Sequence, residues 1–339
     1  MVVHLALNET NVKLRILRKD GSIQEPPLEG DVKWETDRKG SPGKLTCTIP
    51  KCPGLAFHEG DYVELRQYNP DTNNYDCIFY GRVFTKQRNS DQLITVTAYD
   101  SLRYLKNKHT GIYEDKRASE IVSSVLSAAK LPYKTEDIKD TSYVISSLTE
   151  DEQTMFDIIQ DAIDLTVYNT TTLYVLWCDG VGNIHLDNAA TLKTDIVIEK
   201  STAQNFDYTS SIDDNTYNTI YLYYDNDDTN KREEYVAKDN TKIDEWGTLK
   251  YSESISTNAN ATDKVNKLLK LYNRKTRKLK ITKAIGDVRC RAGASVIVKL
   301  DLGDMDVSNY MLIEKATHTF TNGLHTMDLT LSGLEEFTT

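Results

Sequence analysis

The chain has 339 residues, enough for a sizeable core and two or three domains, and its formal net charge of −10 argues against nucleic acid as a main partner. No stretch is long and apolar enough for a membrane span, and the start, "MVVHLALNET", lacks the basic flank and apolar length of a signal peptide. Cys47, Cys52, Cys77, Cys178 and Cys290 fit neither paired zinc knuckles nor a dense disulfide frame, so the chain is expected to be made in the cytoplasm with reduced thiols.

The first hundred residues read as strands. Val12, Leu14 and Ile16 alternate with Lys13, Arg15 and Leu17, and "KDGS" then supplies a turn. "DVKWETDRKGSPGKLTCTIP" predicts two short strands around a Gly/Pro loop, and "EGDYVELRQY" predicts another. In "DCIFYGRVFTKQRNSDQLITVTAYD", a strand, a polar turn and a strand follow one another, with Ile94, Val96 and Ala98 on one face. Short strands at such regular spacing predict a small barrel or sandwich. The period then becomes helical. In "KRASEIVSSVLSAAKLPY", Ile121, Val122, Val125, Leu126 and Ala129 form one apolar stripe that Pro132 ends. A second helix is predicted to begin in "LTEDEQTMFDIIQDAIDL", with Thr149 and Glu152 at capping-box spacing and Met155, Phe156, Ile158, Ile159, Ala162 and Ile163 buried.

"TLYVLWCDGVGNIHLD" reads as a hairpin with a glycine-containing turn, and strands resume with "STAQNFDYTSSIDDNTYNTIYLYYDN". A further amphipathic helix, at about 259–273, presents Val265, Leu268, Leu269 and Tyr272, and the remainder is strands and turns. The 20 tyrosines against 7 phenylalanines suit pleated, half-wet surfaces and interfaces. The predicted class is α+β, mostly β. Its parts are a β domain over 1–104, an inserted α+β region over 105–199, and a second β domain over 200–339.

Candidate chemistry is sparse. In "YMLIEKATHTFTNGLHTMDLTLSG", an Asn-Gly turn pairs Thr321 with Leu324, which sets Phe320 opposite His325 and His318 opposite Met327. The two imidazoles then share a face as diagonal neighbours. Glu314 shares that face at a distance and Asp328 lies on the other, so a third ligand for a catalytic zinc is wanting and the histidines read as core-edge or interface residues. "DNDDTNKREE" resembles a calcium loop, but counting from Asp225 the sixth and twelfth positions hold Asn230 and Val236 where Gly and Glu are needed. The most basic stretch carries Arg274, Lys275, Arg277, Lys278, Lys280 and Lys283, and in an acidic chain it reads as a solvated face or a salt-bridged subunit contact. There is no GxSxG elbow and no phosphate-loop context.

Several stretches together resemble the XkdQ/YqbQ family of tail hub proteins from contractile phage tails and phage tail-like particles of the R-type bacteriocin or diffocin type. They are "FYGRVFTKQRNSDQLITVTAYDSLRYLKNK", "TMFDIIQDAIDLT", "NFDYTSSIDDNTYN", "DNTKIDEWGTLKYSE", "GDVRCRAGASVIVKLDLGD" and "YMLIEKATHTFTNGLHTMDLTL", in order from about residue 60 to 332. The resemblance implies two small β-barrel domains joined by inserted α+β material. It also implies a homotrimer whose paired barrels make a ring of pseudo-sixfold symmetry between a hexameric tail tube and a trimeric central spike. Other baseplate proteins, including a LysM-containing one, are implied as partners, and the virion baseplate as the location. The resemblance supplies no catalytic residues, cofactor or metal ligands. The competing expectation is a baseplate-associated peptidoglycan hydrolase, which would need converging carboxylates or a Cys/His pair in a cleft.

Overall fold

The computed structural model describes residues 12–213, 215–226, 230–255, 261–301 and 306–333. The fold is α+β and mostly β, as the sequence pattern predicts. Most strands belong to one thirteen-stranded sheet that runs through both β regions. Its N-terminal part orders the strands Glu29–Asp37, Lys44–Pro50, Leu93–Tyr99, Asn74–Arg88, Tyr62–Asn69, Val12–Leu17 and Ile23–Gln24 as successive antiparallel neighbours. Its C-terminal part orders Ala203–Ser211, Thr276–Ile285, Leu324–Gly333 and Asp306–Thr321, with Ser295–Asp301 beside the last and Lys193–Glu199 parallel to that.

The join is a single long strand. Asp306–Thr321 pairs through Leu312 with Ser295 of its own region, and from Lys315 to Phe320 with Asp37 to Val32 of the other. Between these two pairings the register with Leu324–Gly333 slips at Glu314, between Ile313 and Lys315. A bulge there re-aims the strand and hands it from one partner to the next. Among the described residues no ladder closes either β region on itself. The regions share a sheet instead, which pairs two edges that would otherwise be open.

Each part has its own apolar centre. The N-terminal region buries Leu14, Ile16, Leu45, Val63, Leu65 and Val96, and it takes in Phe320 from the far end of the chain. The C-terminal region buries Leu279, Ile281, Val296, Val298, Ile313 and Leu331. The inserted region packs α1 (Ala118–Ala128) and α2 (Met155–Thr170) around Ile121, Val125, Ile158 and Ile159 and against the three-stranded sheet of Tyr174–Cys178, Ile184–Asn188 and Tyr133–Ile138.

Two features depart from the sequence reading. Residues 144–154 form a strand paired with Lys108–Arg117, so α2 begins at Met155. Its cap is Thr154, whose hydroxyl accepts from the Asp157 N–H at 3.2 Å, whereas Thr149 and Glu152 lie in the strand. The capping spacing is real but sits five residues further on, because Ile145 and Glu150 are buried by the strand pairing. Second, the segment between Ala203–Ser211 and Thr276–Ile285 is a small α+β unit. It pairs Thr219–Asn226 with Lys231–Lys238 and Lys250–Ser254, and it carries α3 (Asn240–Trp246) and α4 (Ala261–Tyr272). Residues 259 and 260 of the predicted helix lie outside the described residues. In α4, Val265 and Leu268 join Ile220 and Leu222, while Leu271 reaches the core of the inserted region.

Candidate functional site

The hairpin register is the predicted one. Asn322 and Gly323 both have positive φ, 48° and 78°, as a two-residue turn of the primed type requires. Phe320 faces His325, and His318 faces Met327. The imidazoles meet each other, with His318 Nδ1 2.9 Å from His325 Nε2. His318 Nε2 lies 3.2 Å from the Cys290 carbonyl, which can only accept. That fixes the protons: His318 Nε2 donates to the carbonyl, and His318 Nδ1 accepts from His325 Nε2. His325 Nδ1 is left as a buried acceptor with no partner.

Aromatic rings enclose the pair. Trp34 stacks on His318 at 4.8 Å and Phe320 on His325 at 4.2 Å. Burial holds both imidazoles in the neutral form, pushing His318 down to about 3 and His325 to about 4, with Asp287 opposing part of the shift. The carboxylates singled out from sequence are elsewhere. Asp328 accepts from the Lys283 N–H at 2.7 Å. Glu314 does not share the histidine face, because the bulge turns it toward Arg38, which it grips at 2.7 and 3.1 Å, and toward Ser332. Among the described residues no group of three His, Cys, Asp or Glu side chains comes together to hold a metal ion. The pair is a seam between the two β regions. Asp287 and the Cys290 carbonyl reach it from a distant loop, and no sequence signal marks them.

A second seam joins the C-terminal region to the insert. Arg291 lies half-buried over the Trp177 ring at 3.3 Å, and loss of water around its guanidinium lowers its pKa to about 9. His185 stacks on Trp177 at 4.4 Å and meets Asp179 at 3.1 Å. Such cation and ring stacks fix orientation between bodies.

Among the described residues, two clefts of several hundred cubic ångströms stand out on the surface. One, about 410 Å³, is lined by Tyr62, Tyr80, Tyr99 and Tyr104, with Arg82 3.9 Å over the Tyr62 ring. The other, about 350 Å³, lies between α2, the end of α4 and the seam strand, and brings Arg274, Arg277 and Lys278 of the basic stretch to Arg38 and Lys39. Lys280 and Lys283 are exposed on the strand beyond it. In the acidic loop, residues 227–229 lie outside the described residues, and Asp225 is engaged by Arg232 at 2.7 and 2.8 Å. The carboxyls of Glu150 and Asp161, both raised by burial first and by neighbouring carboxylates second, line neither cleft. All five cysteines are free. No helix among the described residues is long and apolar enough to cross a membrane.

A family model described as YqbQ-like matches residues 32–332. The chain is 28% identical over 310 residues to the uncharacterized protein YqbQ of Bacillus subtilis, covering 88% of this chain and 90% of that one. It is 25% identical over 313 residues, with the same coverage, to XkdQ of the phage-like element PBSX from the same organism. Among solved structures, the 43 kDa tail protein of prophage MuSo2 from Shewanella oneidensis matches with a TM-score of 0.63 at 11% identity, over 97% of this chain and 98% of that one. The E. coli c3393 protein, a type VI secretion component described as structurally similar to the T4 tail proteins gp27 and gp5, matches with a TM-score of 0.55 at 10% identity, over 96% of this chain and 78% of that one.

Proposed function

The chain belongs to the YqbQ-like family, and from that premise we propose that it is a structural hub in the baseplate of a contractile tail, adapting a hexameric tail tube to a trimeric spike. The observation that carries this reading is the end-to-end likeness to a prophage tail protein in fold, together with the relationship to XkdQ of a phage-like element. The geometry supports it. The polar and ring-stacked groups that in an enzyme would converge on a cleft are spent here on seams between bodies, and the clefts have the tyrosines and arginines of docking surfaces. In this reading three copies form a closed ring, and closed cyclic symmetry stops growth at a fixed size. Two β regions per copy then offer six similar elements to a tube above and three to a spike below.

Mixing the purified chain with the tube and spike proteins of its own particle, followed by native mass spectrometry and negative-stain imaging, tests it. Three copies in a ring that captures both partners is the expected result. A chain that stays monomeric beside both partners overturns the reading. A lytic band from the purified chain on a peptidoglycan gel would overturn its non-enzymatic part.

A further inference from the structure

The basic stretch finds its use in the cleft between α2, α4 and the seam strand. In a molecule of net charge −10, this cleft gathers Arg38, Lys39, Arg274, Arg277 and Lys278 against only two carboxylates, Asp164 and Glu314. We propose that it binds a carboxylate-bearing peptide segment, an acidic stretch with an apolar or aromatic side chain, from a neighbouring protein of the particle. The inference rests on the tail reading only for where that segment comes from.

Three observations select this occupant. The cleft already shows how it holds a carboxylate, since Glu314 sits in its wall on both forks of Arg38 at 2.7 and 3.1 Å. Arg277 lines the same cleft, and its Nε is buried without a hydrogen-bond partner. That Nε is closed to solvent, so an incoming carboxylate acts on the charge of the half-buried guanidinium rather than on this donor. The floor also has an apolar part, Val167 and Leu271 with the rings of Tyr168 and Tyr272, whose centroids are 6.4 Å apart. A lone inorganic anion would leave that floor uncovered, whereas a peptide side chain would fill it. A long polyanion is disfavoured because the acidic remainder of the chain repels whatever extends beyond the cleft, while a short segment stays within about 8 Å of the cations, the screening distance at physiological salt.

The experiment uses the full chain and a fluorescein-labelled peptide, Glu-Glu-Tyr-Glu-Glu-Leu, followed by fluorescence anisotropy at low salt. Saturable binding that weakens as salt rises is expected. Lys278→Glu and Arg277→Gln should each weaken it roughly tenfold, while Lys19→Glu, an exposed charge outside the cleft, should not. Lys278 is exposed, so its variant tests the site even if Arg277→Gln fails to fold. Carbodiimide coupling should place the peptide on Lys278 or Lys39. Unchanged affinity in Lys278→Glu, coupling elsewhere, equal binding of a hexalysine peptide, or full displacement by equimolar inorganic phosphate would each overturn the proposal. Because the assay needs no tube or spike, its failure beside intact ring assembly sinks the cleft alone, and ring failure beside peptide binding sinks only the hub reading.

Discussion

The histidine pair shows how far a few residues can be read and where reading stops. The Asn-Gly turn and strand alternation place His318 and His325 on one face two rungs apart, and the structure has them there. Their partners, Asp287 and the Cys290 carbonyl, come from a loop whose approach depends on the tertiary fold and leaves no periodic trace. The pair makes stability depend on acid. Both imidazoles bind protons more weakly folded, at about 3 and about 4, than unfolded near the ordinary 6.5. The stability they contribute is therefore complete above pH 6.5. It is lost as pH falls toward 4, because the unfolded chain takes up protons that the native one cannot. At about 1.4 kcal/mol per pKa unit the pair accounts for a loss on the order of a few kcal/mol. Urea midpoints measured from pH 7 to 4 should fall steeply for the native sequence and less for the His318→Leu, His325→Leu double variant. Parallel falls would remove the pair from the explanation. Gly286 is tied to the same site, since a Cβ there would lie 2.3 Å from the His325 ring. Gly286→Ala should cost about 1–3 kcal/mol, the usual penalty of overpacking, measured in the same denaturation experiment at pH 7.

At the scale of elements, legibility followed the strength of the period. The stripe of α1 has Ile121, Val122, Val125 and Leu126 inaccessible, with the expected Ala129 half-buried at the helix cap, because an amphipathic face needs no information from elsewhere in the chain. The start of α2 lies five residues beyond the expected cap because two threonines each stand three residues before an acidic residue, and only the ladder to Lys108–Arg117 decides between them. Strand pairing is a long-range fact, and local capping spacing cannot outvote it. The choice is testable. Thr154→Ala removes the hydroxyl that satisfies the Asp157 N–H and should cost about 1 kcal/mol. Thr149→Ala alters an exposed strand position and should change stability by less than about 0.5 kcal/mol. Thermal melts of the two variants should order them so, and the reverse order would return the cap to Thr149. The α+β unit of 219–272 was hidden for a related reason. Its strands and α4 are each readable, but nothing local says that Ala203–Ser211 and Thr276–Ile285 pair across it.

For the whole molecule the decisive feature is the strand that belongs to both β regions. Its alternation is local, whereas its double pairing could not be inferred, since the partners of 315–320 lie nearly three hundred residues away at 32–37. Phe320 makes the dependence concrete. It is carried by the C-terminal region, yet only 4% of its surface is exposed and it packs within the N-terminal core beside Val32 and Trp34. Had the regions been closed barrels touching at their rims, a cavity in one core would loosen that core alone. With a shared sheet, the seam strand must leave Glu29–Asp37 and disturb Leu324–Gly333 together, so damage spreads both ways. Phe320→Ala should therefore destabilise the chain by about 3–5 kcal/mol. Amide hydrogen exchange should speed up in Lys44–Pro50 and in Thr276–Ile285 by similar factors, although neither strand touches the seam strand directly in the ladder. Faster exchange confined to Lys44–Pro50 would mean that the regions open independently and that the shared sheet transmits no strain from one to the other.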